Sequence, residues 1–332
     1  MGYDHLLRET ADTLNWSQKE RIRCIWEDIF IPYPQSDLIL TRIEELMERP
    51  RTLRPQDILL AGPPGNGKTA LLQEYQKECA RIESVHKTDV EEPKILLTGT
   101  AGNGKSAIQQ ECERRNPPHS EPDVEIKPVL RTTAPVSGGE GKLLSAILQQ
   151  FGYENWGAGS VASKQNRVLN ALECCGVQLV IIDDVNNMLY GGKKKSEALY
   201  AIRNISNYLR IPIVFAGNEQ AKAVFSDEPS LTSRLELLEL PLWTENKDYH
   251  KFLWELEATI SLKQPSQLYK KGKAHLIFEL SKYLDPEGRK GILVNTLKLV
   301  KTAAVTAISD GTEYITIQHL ESAAKRGTWN LS

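Results

Sequence analysis

The chain has 332 residues, a formal net charge of −2, 40% hydrophobic and 25% charged residues, an ordinary composition for a soluble globular protein with room for one large domain or two smaller ones. It excludes a polypeptide that coats nucleic acid by bulk charge, so any such contact needs a local patch or subunits that pool their charges. Five cysteines, Cys24, Cys79, Cys112, Cys174 and Cys175, lack C-x-x-C spacing, which argues against a metal site or disulfide framework and for a reducing cytoplasm; no apolar run approaches the ~18 residues of a membrane span.

In chain order, residues 1–54 read as a helical lead-in. Ser17 and Glu20 form a capping box ahead of Ile22, Ile25 and Ile29, which share one face. Pro32 and Pro34 end that helix, and Leu38 to Met47 gives a second amphipathic helix closed by Pro50. Residues 55–243 then alternate apolar runs with helical patterns, as a parallel sheet covered on both faces requires.

Two phosphate-loop patterns dominate this region. Gly62-Pro63-Pro64-Gly65-Asn66-Gly67-Lys68-Thr69 and Gly99-Thr100-Ala101-Gly102-Asn103-Gly104-Lys105-Ser106 both satisfy G-x-x-x-x-G-K-[ST], each after an apolar strand and at the start of a helix. Glycines let backbone N–H groups turn inward around phosphates, the lysine adds charge, and the hydroxyl of Thr69 or Ser106 serves Mg²⁺. The spacing between copies is constant through Ala70/Ala107, Gln73/Gln110 and Glu74/Glu111, so residues 57–93 and 94–130 read as a tandem duplication. One site per fold suggests one working copy. The sequence leaves open which, and the run of the second helix to Pro117-Pro118 tilts the choice to Lys105.

Farther on, Val129 to Thr133 reads as a strand, followed by helices over Lys142–Phe151 and Lys164–Cys174. Gln178 to Asp184 is an apolar strand ending in two carboxylates. Asp183 suits the metal environment and Asp184 the orientation of an attacking water. Lys193-Lys194-Lys195 reads as a solvated loop tip before a helix over Ser196–Leu209. Asn218 ends the next apolar strand, Ile213 to Asn218, where it suits a γ-phosphate sensor, against the plain alternative of a Gly-Asn turn. Arg234 is the candidate arginine finger toward a neighbouring subunit. Trp156 and Trp243 read as packing residues. From residue 244 to 332 the pattern is helical throughout, forming a lid.

Together the Gly-Asn-Gly-Lys loop, Val180-Ile181-Ile182-Asp183-Asp184-Val185-Asn186-Asn187, Ser233-Arg234, Glu48-Arg49-Pro50-Arg51-Thr52 and the Ala303-Ala304 lid resemble the AAA+ ATPases, and more narrowly the TniB/TnsC family of transposition regulators, which is related to MuB. The resemblance implies an α/β AAA+ P-loop core and ATP hydrolysis with Mg²⁺, and the shorter Asp184 points to hydrolysis that is slow or needs help from a neighbour. It also implies assembly as a ring or helical filament on double-stranded DNA in a bacterial cytoplasm. Implied partners are a TniQ-type target selector and a transposase of the TnsB/TniA type, as in transposons that include CRISPR-associated ones. It places DNA-backbone contacts at Lys142 and Ser160, with Lys164 and Arg167 nearby. It puts Asn295 where relatives carry a lid arginine, with Arg289 close by, and Asp184 where they carry Glu. Two other functions fit the same residues: a signalling or scaffold ATPase that never meets DNA, and a clamp-loader-like remodeller.

Overall fold

A computed structural model describes residues 4–89, 126–136 and 138–327. The second loop copy, with Gly99, Gly102, Asn103, Gly104, Lys105 and Ser106, lies outside them, as does Cys112. The chain divides into two compact units. One comprises Leu40–Ala61 and Leu72–Leu238, the other Met1–Ile39, Gly62–Leu71 and Glu239–Ser332.

The first of these units is built on the sheet. Strands β1 (Asp57–Ala61), β2 (Val129–Thr133), β3 (Leu179–Asp183), β4 (Ile213–Gly217) and β5 (Leu235–Glu239) stand in the order β2-β3-β4-β1-β5. The β2–β3, β3–β4 and β4–β1 pairings are parallel. β1, β3 and β4 are buried along their whole length, as expected of central parallel strands covered on both faces. Helices α5 (Glu140–Gln150), α6 (Val161–Cys174) and α7 (Lys193–Leu209) supply Leu143, Leu144, Ile147, Val168, Leu172, Leu199 and Ile202 to one core with Leu130, Val180, Ile182 and Phe215. Phe225 meets Phe215 edge to face at 4.8 Å, the arrangement that aromatic quadrupoles favour.

This is the parallel α/β sheet that the sequence reading expected, with three local departures from that reading. Lys193, Lys194 and Lys195 form the first turn of α7, behind Gly192 at φ 54°, instead of a loop. Pro34 opens the helix α3 (Pro34–Glu48), where its missing N–H costs nothing because first-turn amides have no intrahelical partner. β5 has no counterpart in the sequence reading; its Leu-Glu-Leu-Leu-Glu sequence is only partly buried, as an edge strand's would be.

The second unit is helical apart from the loop at Gly62. Helix α2 (Gln18–Trp26) begins at Ser17, whose side chain accepts from Glu20 N while Glu20 receives Ser17 N, the reciprocal capping box that the sequence announced. Helices α9 (Lys247–Ala258), α10 (Lys271–Leu280), α11 (Leu293–Ser309) and α12 (Ile317–Gly327) enclose Tyr249, Phe252, Leu256, Leu299, Ala303 and Ala304. Ile25 joins this core, and Arg21, 4% exposed, pairs with Glu313 and donates to Ser261 O, which anchors α2 to the bundle. Trp243 packs among Tyr33, Tyr249 and Phe252 with ring centroids 4.7, 6.0 and 5.2 Å away, so it is a packing residue as read.

Candidate functional site

The first phosphate loop begins where the chain leaves β1 at Ala61, opposite Gly217 and flanked by β4 and β5. That is the carboxyl edge of a parallel sheet, where ligands bind in open α/β folds. Gly65 and Gly67 hold φ at 75° and 88°, a left-handed conformation that only glycine adopts cheaply and that turns backbone N–H groups toward a common concavity. A side chain at Gly65 would meet Val294 Cγ1 at 2.6 Å, and one at Gly62 would collide with Leu240 O. Lys68, 8% exposed, donates to the loop's own Gly62 O at 2.7 Å and Pro63 O at 2.8 Å. Thr69 is exposed at the start of α4 (Lys68–Asp89).

Asn66 behaves differently from its neighbours. It is fully buried, its amide donates to Leu240 O at 3.1 Å and to Pro241 O, and its Oδ1 accepts Leu293 N at 3.3 Å. Val294 N donates to Gly65 O at 2.9 Å. Thus the first amides of α11, which have no partner within their helix, are satisfied by the phosphate loop. The Asn66 side chain ties the loop down, so its contribution toward phosphate is left to its backbone.

Asp183, 2% exposed, ends β3 opposite Thr133. Its Oδ1 accepts Asp184 N at 2.9 Å, and its Oδ2 lies 3.5 Å from Arg131 Nη1. Arg131 is on β2 opposite Ile181, two residues before Thr133, so strand alternation puts it on the same face as Asp183. Its Nε is buried without a hydrogen-bond partner. Sequence reasoning passed over this arginine. The available signal was a cation inside an otherwise buried strand. Asp184 is exposed and left-handed at φ 52°, uncommon for a non-glycine residue and worth about 1–2 kcal/mol of strain.

The loop after β3 is held by its neighbours. Asn186 Oδ1 accepts Asn218 N at 3.1 Å, and Asn187 Nδ2 donates to Ala134 O at 3.1 Å. Asn218 is partly buried, and its Oδ1 accepts Gln220 N at 2.9 Å as the cap of the short helix Glu219–Val224. Its position at the end of β4 matches the reading, with one side-chain atom committed to the turn.

Arg234, expected to be displayed as a finger, points inward. Its side chain is 11% exposed, Nε lies 3.0 Å from Asp57 Oδ2, and Nη1 donates to Asn207 Oδ1 at 2.9 Å. Asp57, 1% exposed, also accepts Ile213 N at 2.9 Å. Burial pushes its carboxyl up to about 7, against the downward pull of Arg234. Arg289 is engaged with Asp285 and Glu287, and Asn295 is 8% exposed in the first turn of α11.

Of the four residues assigned to DNA, Lys142, Ser160 and Lys164 lie at the amino ends of α5 and α6, and Arg167 lies midway along α6. A side chain at Gly141 would touch Val161 Cγ2 at 3.4 Å, and one at Gly139 would reach Lys194 Cβ at 3.3 Å, so the starts of α5, α6 and α7 adjoin. Lys142 is exposed and Lys164 partly so. Ser160 caps α6 by accepting Ser163 N. Arg167 donates to Asn155 O and Ala158 O and stacks on Tyr153 at 4.9 Å, so it shapes the preceding loop. Lys195 pairs with Asp227 at 2.8 Å, whereas Lys193 and Lys194 are exposed. Trp156 is 41% exposed. Among the described residues Cys24, Cys79, Cys174 and Cys175 form no disulfide, and no described helix is long and apolar enough to cross a membrane.

The family model for the bacterial TniB protein matches residues 21–91 and 83–245, two stretches that overlap within the duplicated segment. No curated protein matches the chain. Among solved structures, the ORC1 protein of Aeropyrum pernix in complex with DNA is 17% identical, with 92% of this chain and 69% of that one covered at a TM-score of 0.57. The ADP form of ORC2 from the same organism is 14% identical, with 91% and 72% covered and the same TM-score. Cdc6p from Pyrobaculum aerophilum is 14% identical over 93% and 72%, at 0.56. At these identities the likeness is one of fold, the AAA+ P-loop fold.

Proposed function

The chain belongs to the TniB family, and from that premise we propose that it is an ATP-dependent regulator of DNA transposition. It assembles on double-stranded DNA and links a TniQ-type target selector to a transposase. The observation that carries the proposal is the loop at Gly62–Thr69. Two left-handed glycines and a lysine bonded to loop carbonyls supply the backbone turn and the positive charge that a polyphosphate needs. One of the fold neighbours was solved with DNA and another in an ADP form, the kinds of partner and ligand proposed.

In this reading the first copy works, because its strand is β1 of the described sheet. Lys68 exchanges the carbonyls of Gly62 and Pro63 for the β- and γ-phosphate oxygens. Thr69 would offer its hydroxyl and Asp183 its carboxylate to Mg²⁺, which would neutralise charge on the transferred phosphoryl group. Asp184 orients the attacking water. As an Asp, one methylene shorter than Glu, it reaches less far, which makes turnover slow. Asn218 offers its amide toward the γ-phosphate from the end of β4, and Lys142 and Lys164 meet the DNA backbone.

Lys68→Ala and Lys105→Ala, made separately, test the nucleotide site by ATP affinity. Loss with Lys68→Ala alone is expected, and loss with Lys105→Ala alone reverses the assignment. The competing reading, a signalling ATPase that never meets DNA, draws on the net charge of −2 and on the internal engagement of Arg167. A mobility shift of plain duplex with and without ATP separates the two. Shift only with ATP supports the proposal, and no shift in either condition removes it.

A further inference from the structure

A second concave site lies at the other end of the strands. It is a cavity of about 220 Å³ beneath the starts of β1, β3 and β4, formed by residues between 46 and 56, Gln178 and residues 210–212. This is the amino edge of the sheet, whereas Ala61 and Asp183 lie at its carboxyl edge, one strand length away. Nothing in nucleotide chemistry accounts for it, because ligands of open α/β sheets bind at the carboxyl edge.

The lining is one-sided in charge. Arg49, Arg51, Arg54 and Arg210 contribute four guanidinium groups, and among the described residues no carboxylate lines the cavity. The side chains of Arg51, Arg54 and Arg210 make no ion pair or hydrogen bond within the described residues. Arg49 donates to Gln56 Oε1, and Gln56 in turn donates to Glu236 Oε2 at 3.0 Å, but Glu236 is already the bidentate partner of Arg42 at 2.7 and 2.9 Å. The carboxylate adjacent to this network is therefore spent before it reaches the cavity. Arg49, Arg51, Arg54 and Arg210 are all exposed, so in a chain with a net charge of −2 they make one solvent-facing concentration of positive charge around the hollow, a field that attracts an anion.

Arg210 adds a second observation. It follows α7 in the left-handed conformation at φ 57°, a place where helices ordinarily use glycine. The favourable field at a helix C-terminus explains a cation in the last turn. It does not explain why the residue that bears the left-handed strain is an arginine whose head group stays unpaired.

We propose that this cavity is a phosphate-binding site, and that its occupant is a phosphodiester of nucleic acid. Guanidinium forks match the tetrahedral oxyanion bidentately. The cavity is small enough for one such group. Its lining includes no aromatic ring on which a base would stack, so contact is with the backbone and independent of sequence. The proposal deepens the DNA-binding reading and adds an anchor on the sheet edge opposite Lys142.

The test is the salt dependence of duplex binding by the full chain with ATP. Every phosphate that the protein ceases to neutralise lowers the slope of log K against log salt by about one. Arg54→Gln with Arg210→Gln is therefore expected to lower it by about two, with ATP affinity unchanged as the check on folding, while Lys77→Gln on α4, 63% exposed, leaves it alone. An unchanged slope in the double variant, or an equal drop with Lys77→Gln, overturns the proposal. Inorganic phosphate supplies the second arm. If it raises the melting midpoint of the parent and not of the double variant, yet the DNA slope is the same in both, the site takes free phosphate and the nucleic-acid assignment is wrong. A parent chain that binds no duplex refutes instead the functional reading on which this one rests.

Discussion

Replacement of Arg234 by alanine separates two roles for this residue by their sign on stability. In the structure Arg234 is the counter-charge of Asp57, which is 1% exposed and also accepts a hydrogen bond from Ile213 N. Removing one member of a buried pair costs about 3–5 kcal/mol where the other is left fully ionised, and less where the remaining acid takes up a proton instead. The cost depends on pH in a definite direction. Burial raises the Asp57 carboxyl to about 7 in the folded chain, against about 3.9 when unfolded. The folded state therefore holds this proton where the unfolded state has lost it, and the associated stability, complete below about pH 4, disappears as pH rises through 7. Without the arginine's downward pull the carboxyl rises further, so the deficit of Arg234→Ala relative to the parent grows as pH rises through 7, and by pH 8 it exceeds its value at pH 5 by up to about 1.4 kcal/mol, the worth of one pKa unit. Near pH 5, where Asp57 is largely protonated in both proteins, it shrinks toward the ~1 kcal/mol of the lost bond to Asn207. Urea denaturation at the two pH values measures both deficits. A variant within about 0.5 kcal/mol of the parent at pH 8, the range of an ordinary surface substitution, that nonetheless fails to hydrolyse ATP when assembled refutes the buried-pair account and restores the arginine finger.

Four other outcomes are expected. Asn66→Ala, which removes the bonds to Leu240 O, Pro241 O and Leu293 N, lowers stability by about 2–4 kcal/mol in urea titration, at about 1 kcal/mol per bond plus the unpaired amide. Asp57→Asn keeps an acceptor for Ile213 N and abolishes the loss of stability between pH 4 and 7, read from melting midpoints across that range. Asp184→Gly relieves the strain of φ 52°, so the melting midpoint stays level or rises while ATP turnover falls and ATP affinity is kept. Lys142→Ala reduces the salt slope of duplex binding by about one; an unchanged slope removes α5 from the DNA face.

The fold was legible wherever hydrophobic period decided it. The strands at Val129–Thr133, Leu179–Asp183 and Ile213–Gly217 and the helices of the C-terminal bundle lie where apolar runs and amphipathic faces put them. The capping box at Ser17 was readable because its partners are three residues apart. Elements set by weak local signals were harder. β5 carries two glutamates in five residues, and three consecutive lysines look like a loop although they begin α7. In the site, the glycines and Lys68 follow from the motif alone. The clamp at Asn66 does not, because its partners lie 174 and 227 residues away. Arg131 beside Asp183 needed the register of β2 against β3, and the inward turn of Arg234 needed the acid at the start of β1, which sequence gives no reason to pair with it.

The seam between the loop at Gly65–Asn66 and the start of α11 has a mechanical corollary. Two amides of that helix rely on oxygens of the segment proposed to change partners when a triphosphate arrives. Whatever swings Gly65 O or the Asn66 carboxamide aside strips the helix of its end caps, and whatever resets them restores those caps. Occupancy of a loop a few residues long is in this way written into the terminus of a seventeen-residue rod, where a fluorophore or exchange probe on Leu293 and Val294 would read it directly.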